Sequence, residues 1–537
     1  MQCQELNTRT NKRDSIVSTP LEEGGGEEEE EAVRADLVVS APGKVLITGA
    51  YLVLERPNAG LVLSTSARFY AIVKPIHSDV APDSWSWSWA DVKVLSPQMF
   101  TETTYKLSLR DSHLRKVAGD GSSAFVEQAV QLAVAAAKAR LQHATSDAQD
   151  LLRKLVLQGL EITILGSNNF YSFRKQIEAS GLPIMTSSLA SIPSFSPITS
   201  NSGSIQPGDH AIALPEVAKT GLGSSAAMTT AVVAGILQYL GSIKLAVHGE
   251  SKEEETELEL VHMVSQAAHC AAQGKVGSGF DVSSAVFGSQ RYVRFSPSVL
   301  LSAQAGGRLV TPLELVKQVL TTDWDAERLP YALPPGLVLM VGEPGFGGSH
   351  TPSMVGAVQA WRKADPVTAN PVWVALAEAN QGVERGLLHL MECAESRHAY
   401  NTVLEGCCTS SSDKWKYLFG DTPERLEILE ALLETRQAFI NVRSLLRHVG
   451  EAANVPIEPP SQTALLDATM DMSGVLLAGV PGAGGFDAVF AVVLGNTVRE
   501  QVDAEWSRRG VLSLSVQEDP QGVSLELCDP RIDRTSS

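Results

Sequence analysis

The chain has 537 residues, of which 44% are hydrophobic, and its formal net charge is −18 at pH 7. This length exceeds that of a usual single domain, so we expect two domains with ample apolar side chains for their cores. The negative charge argues against nucleic acid as a partner, because phosphate backbones are bound by fields of Lys and Arg. An anionic ligand must therefore be held by a local cluster of positive groups.

Residues 1–34 form an acidic leader, with a run of glutamates between Glu22 and Glu31. This composition predicts disorder. We expect an N-terminal domain over 35–332 and a C-terminal domain over 333–537, divided near the Pro-rich stretch that begins at Leu333.

Six cysteines without C-x-x-C spacing indicate a reducing compartment without structural zinc. No uncharged apolar run reaches 18 residues, so we expect no membrane span. We expect a cytoplasmic location with the peroxisome as the alternative, although the chain ends at Ser537 without an S-K-L signal.

The first ordered stretch begins at Leu37, and Pro42 and Gly43 predict a turn that places Lys44 at the start of a second apolar segment. A lone lysine there is usually just a solvated charge. Periodicity then predicts a buried helix over 125–141 and a strand over 160–165. A long loop should follow over 166–209, with Arg174 facing either substrate or solvent.

The central motif surrounds Gly221, Gly223, Ser224 and Ser225, just before an apolar helix that ends near Leu240. The glycines permit a tight turn, and the first N–H groups and the positive dipole end of the helix then meet at one place. This pattern predicts a phosphate-binding loop, with a capped buried helix as the plain alternative. No Walker-type G-x-x-x-x-G-K-[ST] occurs, and the dinucleotide-binding pattern lacks its acidic residue about 20 positions further on.

Two further glycine clusters follow. One spans 274–279 and leads to Asp281. Its glycines predict a backbone that approaches a ligand closely, with Asp281 beside that ligand. The alternative is that Asp281 only caps a helix. The other spans 478–487 and precedes a strand that we predict over 488–494. Between them, periodicity predicts helices over 354–362, 371–391 and 423–449, with a polar loop over 395–414.

Together these segments resemble the GHMP family of small-molecule kinases, whose signatures are a P-G-K strand, a G-L-G-S-S-A loop and a G-A-G-G loop, in that order. Within that family the stretches Gly49–Glu55, Asn169–Ser172 and Gly342–Gly345 are similar to the eukaryotic-type phosphomevalonate kinases. The resemblance implies an α+β, two-domain GHMP kinase fold, with an N-terminal domain like domain 2 of ribosomal protein S5 and a ferredoxin-like C-terminal domain. It implies transfer of the γ-phosphoryl of ATP to (R)-5-phosphomevalonate with Mg²⁺, without nucleic acid as a partner. Mevalonate kinase or another small-molecule kinase of the family is the alternative.

The resemblance also implies roles for particular residues. Lys44, Asp281 and Lys219 are the catalytic candidates, and Ser225 is the candidate Mg²⁺ ligand. The candidates for binding ATP are Gly221, Leu222, Gly223, Ser224, Ser225 and Ala226. The candidates for binding the acceptor are Ser349, His350, Gly482, Ala483, Gly484 and Asp487.

The chain departs from the wider family at two positions. Cys270 stands where related kinases carry a glutamate that binds the metal, and Ala50 replaces the glutamate of the usual G-E-[HY] motif. A catalytically inactive relative with a sensing role is another alternative, but such relatives typically lose the lysine or the aspartate, and here both Lys44 and Asp281 remain.

Overall fold

A 9-stranded sheet, antiparallel except where β3 meets β6, holds the first part of the fold together. The computed structural model describes residues 36–77, 88–121, 123–198, 218–250, 255–300, 310–345, 351–418 and 422–532. In chain order the strands are β1 (Leu37–Thr48), β2 (Ala59–Lys74), β3 (Trp89–Ser96), β4 (Thr101–Ser108), β5 (Leu114–Gly119), β6 (Leu160–Gly166), β7 (Gln290–Val293), β8 (Glu327–Pro330), β9 (Leu337–Glu343), β10 (Val475–Gly479), β11 (Val489–Leu494), β12 (Leu512–Ser513) and β13 (Ser524–Glu526).

The helices cover the sheets and carry most of the second half of the chain. In chain order they are α1 (Ala124–Leu141), α2 (Ser146–Leu157), α3 (Arg174–Ala179), α4 (Thr186–Ala190), α5 (Ser224–Tyr239), α6 (Glu255–Gln273), α7 (Phe280–Phe287), α8 (Pro312–Thr321), α9 (Thr351–Ala364), α10 (Pro366–Cys393), α11 (Arg397–Cys408), α12 (Pro423–Ala453), α13 (Pro460–Met470) and α14 (Asn496–Arg508). The mixed α and β architecture agrees with the predicted fold class.

The large sheet runs in the order β13-β1-β2-β6-β3-β4-β5, with β7 and then β8 added beside β2. Helix α5 packs against β1 and β2, and α1 and α6 pack against α5. The apolar side of α5 explains its position, since Ala226, Val232 and Ile236 are almost fully buried. This packing fixes the start of α5 close to β1.

The predicted turn at Pro42 and Gly43 is wrong. Strand β1 continues through both residues, while its pairing with β2 shifts from Pro42–Arg68 to Gly43–Thr65. The irregularity lies in the partner strand, where the N–H of Ser66 donates to the carbonyl of Gln517 instead of to β1. A bulge in β2 therefore absorbs the change of direction that a turn would have made.

A second sheet runs in the order β10-β11-β9-β12, and the long helices α10 and α12 pack against each other. Phe439 of α12 meets Phe490 of β11 edge to face, with ring centroids 5.7 Å apart. The predicted polar loop over 395–414 instead contains α11, which buries Tyr400, Val403 and Cys407. This helix has only one narrow apolar face, so the many polar residues of the segment led to the prediction of a loop.

The chain returns to the first sheet at its end, because β13 pairs with β1 through Ser524 and Ser40. Both sheets lie within one compact unit, and the division of the chain at 332/333 stays a prediction. The acidic leader and the last part of the predicted 166–209 loop, residues 199–209, lie outside the described residues, whereas the described part of that loop contains α3 and α4. No helix in the described part is both long and apolar enough to cross a membrane.

Candidate active site

The glycine-rich loop turns directly into α5. Gly221 has φ 75° and Gly223 has φ 77°, in the left-handed region that favours glycine. A Cβ on Gly223 would lie 3.0 Å from Cε of Lys44. Glycine at 223 therefore permits both the turn into the helix and the passage of the lysine beside it. The remaining predicted loop residues are together at this point: the Leu222 side chain is buried in the core, and Ser224 begins the helix.

Lys44 is joined to this loop by two hydrogen bonds. Its backbone N–H donates to the carbonyl of Leu222 at 2.8 Å, and its Nζ donates to the carbonyl of Gly221 at 2.8 Å. Burial lowers the pKa of Lys44, and attraction by Asp281 raises it by less. Its Nζ thus lies close to the loop and within the field of Asp281. Lys219, by contrast, is exposed, and its backbone pairs with that of Tyr171.

Asp281 lies in the first turn of α7. Its Oδ1 accepts a hydrogen bond from the N–H of Val282 at 3.0 Å, and its Oδ2 lies 4.0 Å from Nε2 of His269. The carboxylate is held by its own helix and is only partly exposed, at 24% of its side chain. Asp281 thus lies close to His269 and acts electrostatically on Lys44.

His269 is a residue that sequence reasoning missed. Its Nε2 lies 3.1 Å from Oγ of Ser225, and its ring is almost fully buried beside Phe125. Burial lowers the pKa of His269 more than Asp281 raises it. The signal available in the sequence was a row of polar residues at helical spacing on α6, which are His262, Ser265, Gln266, His269 and Gln273.

Cys270, which replaces the metal-binding glutamate of related kinases, is buried and accepts a hydrogen bond from Nε2 of Gln266 at 3.1 Å. Its thiol is therefore buried inside the protein and bonded to a residue of its own helix. Of these two neighbours on α6, His269 is the one in contact with Ser225.

The third glycine cluster lies beside the phosphate loop. A Cβ on Gly221 would be 3.4 Å from Cβ of Ala488, the residue that follows this cluster. The hydroxyl of Tyr51 donates to the carbonyl of Ala483 at 2.7 Å, which ties the end of β1 to the same cluster. Gly482, Gly484 and Asp487 are half-buried here. Ser349 and His350 lie outside the described residues.

Arg174 is packed against the end of β9. Its Nη2 donates to the carbonyls of Glu343, at 2.8 Å, and Gly510, at 2.7 Å. Ser172 Oγ donates to Oε1 of Glu343 at 2.6 Å. Burial raises the pKa of Glu343, opposed by Ser172 and Arg174. This network fixes the strand end that leads to the predicted acceptor residues.

The oxygen donors near the loop fit a magnesium ion. Ser225 supplies a hydroxyl and Asp281 a carboxylate, and both flank Nε2 of His269 at 3.1 and 4.0 Å. Mg²⁺ prefers oxygen ligands and commonly binds through one or two protein groups together with phosphates and water. A helix N-terminus, a buried lysine and a hydroxyl–carboxylate pair thus converge, which suits the transfer of a phosphoryl group.

Comparison with known proteins gives the same class. Residues 212–289 match the family model described as the GHMP kinases N terminal domain. A solved structure of the Lin0012 protein from Listeria innocua has the same fold, with a TM-score of 0.57 at 16% identity, covering 92% of this chain and 99% of that one. The loop and the fold therefore define a GHMP-type kinase, an enzyme that transfers a phosphoryl group.

The particular family follows from full-length relatives. The chain is 53% identical to the phosphomevalonate kinase, peroxisomal, of Arabidopsis thaliana over 92% of this chain and 97% of that protein. It is 32% identical to a phosphomevalonate kinase of Aspergillus fumigatus over 85% of this chain and 87% of that protein. The chain belongs to the phosphomevalonate kinase family.

Proposed function

We propose that the site transfers the γ-phosphoryl of ATP to the phosphate of (R)-5-phosphomevalonate, giving the diphosphate and ADP. The observation that carries this proposal is the position of Lys44, whose Nζ lies 2.8 Å from the carbonyl of Gly221, at the turn into the N-terminus of α5. Family membership supplies the acceptor, since the relatives named above are phosphomevalonate kinases.

The acceptor decides what the protein must do. A phosphomonoester has a second pKa of about 6, so its attacking oxygen is already anionic near neutral pH and needs no strong base. The remaining obstacle is repulsion between two polyanions. Placed positive charge and N–H groups overcome it more effectively than proton transfer does.

Lys44 is the bridging cation in this proposal. It is held between the loop and Phe280, whose ring centroid is 5.5 Å from its Nζ, and it offsets charge on the group being transferred. The first N–H groups of α5 and the loop backbone from Gly221 to Ala226 hold the ATP phosphates. Lys219 adds positive charge at the rim.

Mg²⁺, when bound, neutralises and orients the phosphate oxygens. Ser225 and Asp281 would hold it, and His269 positions the Ser225 hydroxyl through their 3.1 Å contact. Asp281 also favours the charged form of Lys44. We assign it no role as a general base.

On the acceptor side we propose Gly482, Ala483, Gly484 and Asp487, together with Ser349 and His350. The bond from Tyr51 to Ala483 supports this assignment, because it holds the cluster close to the end of β1. We also propose the peroxisome as the compartment in place of the expected cytoplasm, on the name of the Arabidopsis relative.

Release of ADP with alternative acceptors tests the function. With ATP and Mg²⁺, phosphomevalonate should support turnover, and mevalonate and homoserine should support at most about a hundredth of its kcat/KM, since both lack the phosphate group that the site is proposed to bind as acceptor. Faster turnover with mevalonate would favour mevalonate kinase instead.

A further inference from the structure

Three side chains with metal-binding atoms meet where the end of α10 approaches the start of α12, away from the phosphate loop. They are His389, Cys393 and Glu427, and their nearest ligand atoms all lie within 4.8 Å of one another. Nε2 of His389 is already 3.0 Å from Oε1 of Glu427. In the described part of the chain this is the group of His, Cys and acidic side chains that is close enough to share an ion.

The spacing explains the convergence. His389 and Cys393 are four residues apart on α10, so their side chains lie on the same face of the helix. Glu427 reaches them from the neighbouring helix. An ion bound by all three would therefore join two different helices. Its ligands Cys393 and Glu427 are 34 positions apart in the sequence.

The donor set selects the kind of ion. Imidazole nitrogen, thiolate sulfur and carboxylate oxygen together suit Zn²⁺, whereas Mg²⁺ and Ca²⁺ prefer oxygen alone. Three protein ligands leave one tetrahedral position for water. The ion can enter from solvent, because 38% of the His389 side chain and 59% of the Glu427 side chain are exposed.

The local charge also favours a cation. The charged groups that act on the Cys393 thiol are the carboxylates of Glu427 and Glu392. A divalent ion among these groups would offset their negative charge, and the thiol proton would pass to solvent as the sulfur–zinc bond forms.

We propose that His389, Cys393 and Glu427 form a Zn²⁺ site that fastens α10 to α12. Spacing rules for cysteine pairs could not detect it, because it uses a single cysteine. The site stabilises the helix that supports the first sheet, since Asn380 of α10 accepts from the N–H of Gly49 at 2.8 Å, and Glu384 of the same helix pairs with Arg291 of β7.

Cobalt provides the direct test, because Co²⁺ in a zinc site gives a sulfur-to-cobalt charge-transfer band and visible d–d bands typical of tetrahedral coordination. The full-length protein, without nucleotide, is titrated with Co²⁺ and then with Zn²⁺. We expect about one equivalent of Co²⁺ to bind with a charge-transfer band and to be displaced by Zn²⁺. Cys393→Ser should abolish the band, and His389→Ala and Glu427→Gln should weaken binding at least about tenfold. Cys528→Ser is the matched control and should leave the band unchanged.

A second measurement does not depend on any variant. Zn²⁺ should slow alkylation of Cys393 in the wild-type protein, followed by peptide mass spectrometry, while Cys528 reacts at the same rate with and without the ion. Zn²⁺ at about 100 times its Kd should also raise the apparent Tm by about 2–3 °C. Absence of a charge-transfer band in the folded wild type, a band that survives Cys393→Ser, or equal alkylation of Cys393 with and without Zn²⁺ would overturn the proposal.

Discussion

Lys44 shows how one side chain can connect two distant segments. Its backbone and its Nζ bond to consecutive residues of the phosphate loop, Leu222 and Gly221. Lys44 is buried, which lowers its pKa. For the same reason, water screens its charge only weakly. A charge in such a place acts strongly on charge that develops during the reaction.

Lys44→Met should therefore lower kcat by about 10²–10³-fold while changing ATP affinity much less, since the lost interaction is strongest in the transition state. Steady-state kinetics with phosphomevalonate, together with ATP binding by calorimetry, separate the two effects. If kcat stays near that of the wild type, the assignment of Lys44 is wrong and Lys219 becomes the bridging candidate.

Gly223 and Gly241, at the two ends of α5, form a matched pair. Both have positive φ, but a Cβ on Gly223 would meet Lys44 whereas a Cβ on Gly241 would meet nothing within 4 Å. Alanine at either position should cost about 1–2 kcal/mol in the free energy of unfolding. Only Gly223→Ala should also lower kcat, because it displaces Lys44. Equal kcat for the two folded variants would show that contact with Lys44 is unimportant.

At the scale of elements, helix α6 contains a second buried histidine. His262 is 0% exposed, both of its ring nitrogens lack a hydrogen-bond partner in the described structure, and it packs against Phe287 and Trp324. Glu259 lies 4.0 Å from its Nδ1. Burial, and to a smaller extent Arg328, lower its pKa well below 6.5.

The sign of the resulting pH dependence follows from linkage. As pH falls below 6.5, the unfolded chain takes up a proton on this side chain before the folded chain does, so folding stability decreases. This single group should contribute about 1.4 kcal/mol per pH unit. His262→Phe should remove that slope, measured by urea unfolding at about pH 7.5 and about pH 5.5. The exposed His398→Phe serves as the control, and an unchanged slope in His262→Phe would refute the account.

Local signals explain which elements the sequence predicts well. The start of α5 is encoded by neighbouring glycines and serines, and the helix over 125–141 and the strand over 160–165 by their own periodicity, so these predictions hold within about one residue. Non-local features escape such reasoning. The continuity of β1 through Pro42 depends on a bulge in β2, and α11 is hidden by its polar residues.

The site divides in the same way. Gly221, Gly223 and Ser225 are recognisable because a phosphate loop is a continuous stretch of chain. The contact of His269 with Ser225 and that of Tyr51 with Ala483 join residues 44 and 432 positions apart. Only the packing of separate elements brings such pairs together, and no local pattern specifies which partners meet.

At the scale of the whole molecule, the site is assembled where β1, α5, α6 and α7 meet the third glycine cluster. Lys44, Ser225, His269 and Asp281 each come from a different element. The acceptor phosphate is already anionic, so the site needs no dedicated base. It needs positive groups near the phosphates, which Lys44 and the helix N–H groups supply. We infer that phosphoryl transfer depends on the positive groups held at the site and not on removal of a proton by Asp281.

The pH dependence of Asp281→Asn tests that claim most directly. The rate of ADP release with phosphomevalonate is measured for the wild type and the variant from about pH 6 to about pH 9, across and above the second pKa of the acceptor, which is about 6. We predict that the folded variant is slow throughout, with a deficit that does not shrink above about pH 7, where the acceptor is already mostly dianionic. Recovery towards the wild-type rate as pH rises would identify Asp281 as a general base and contradict the account.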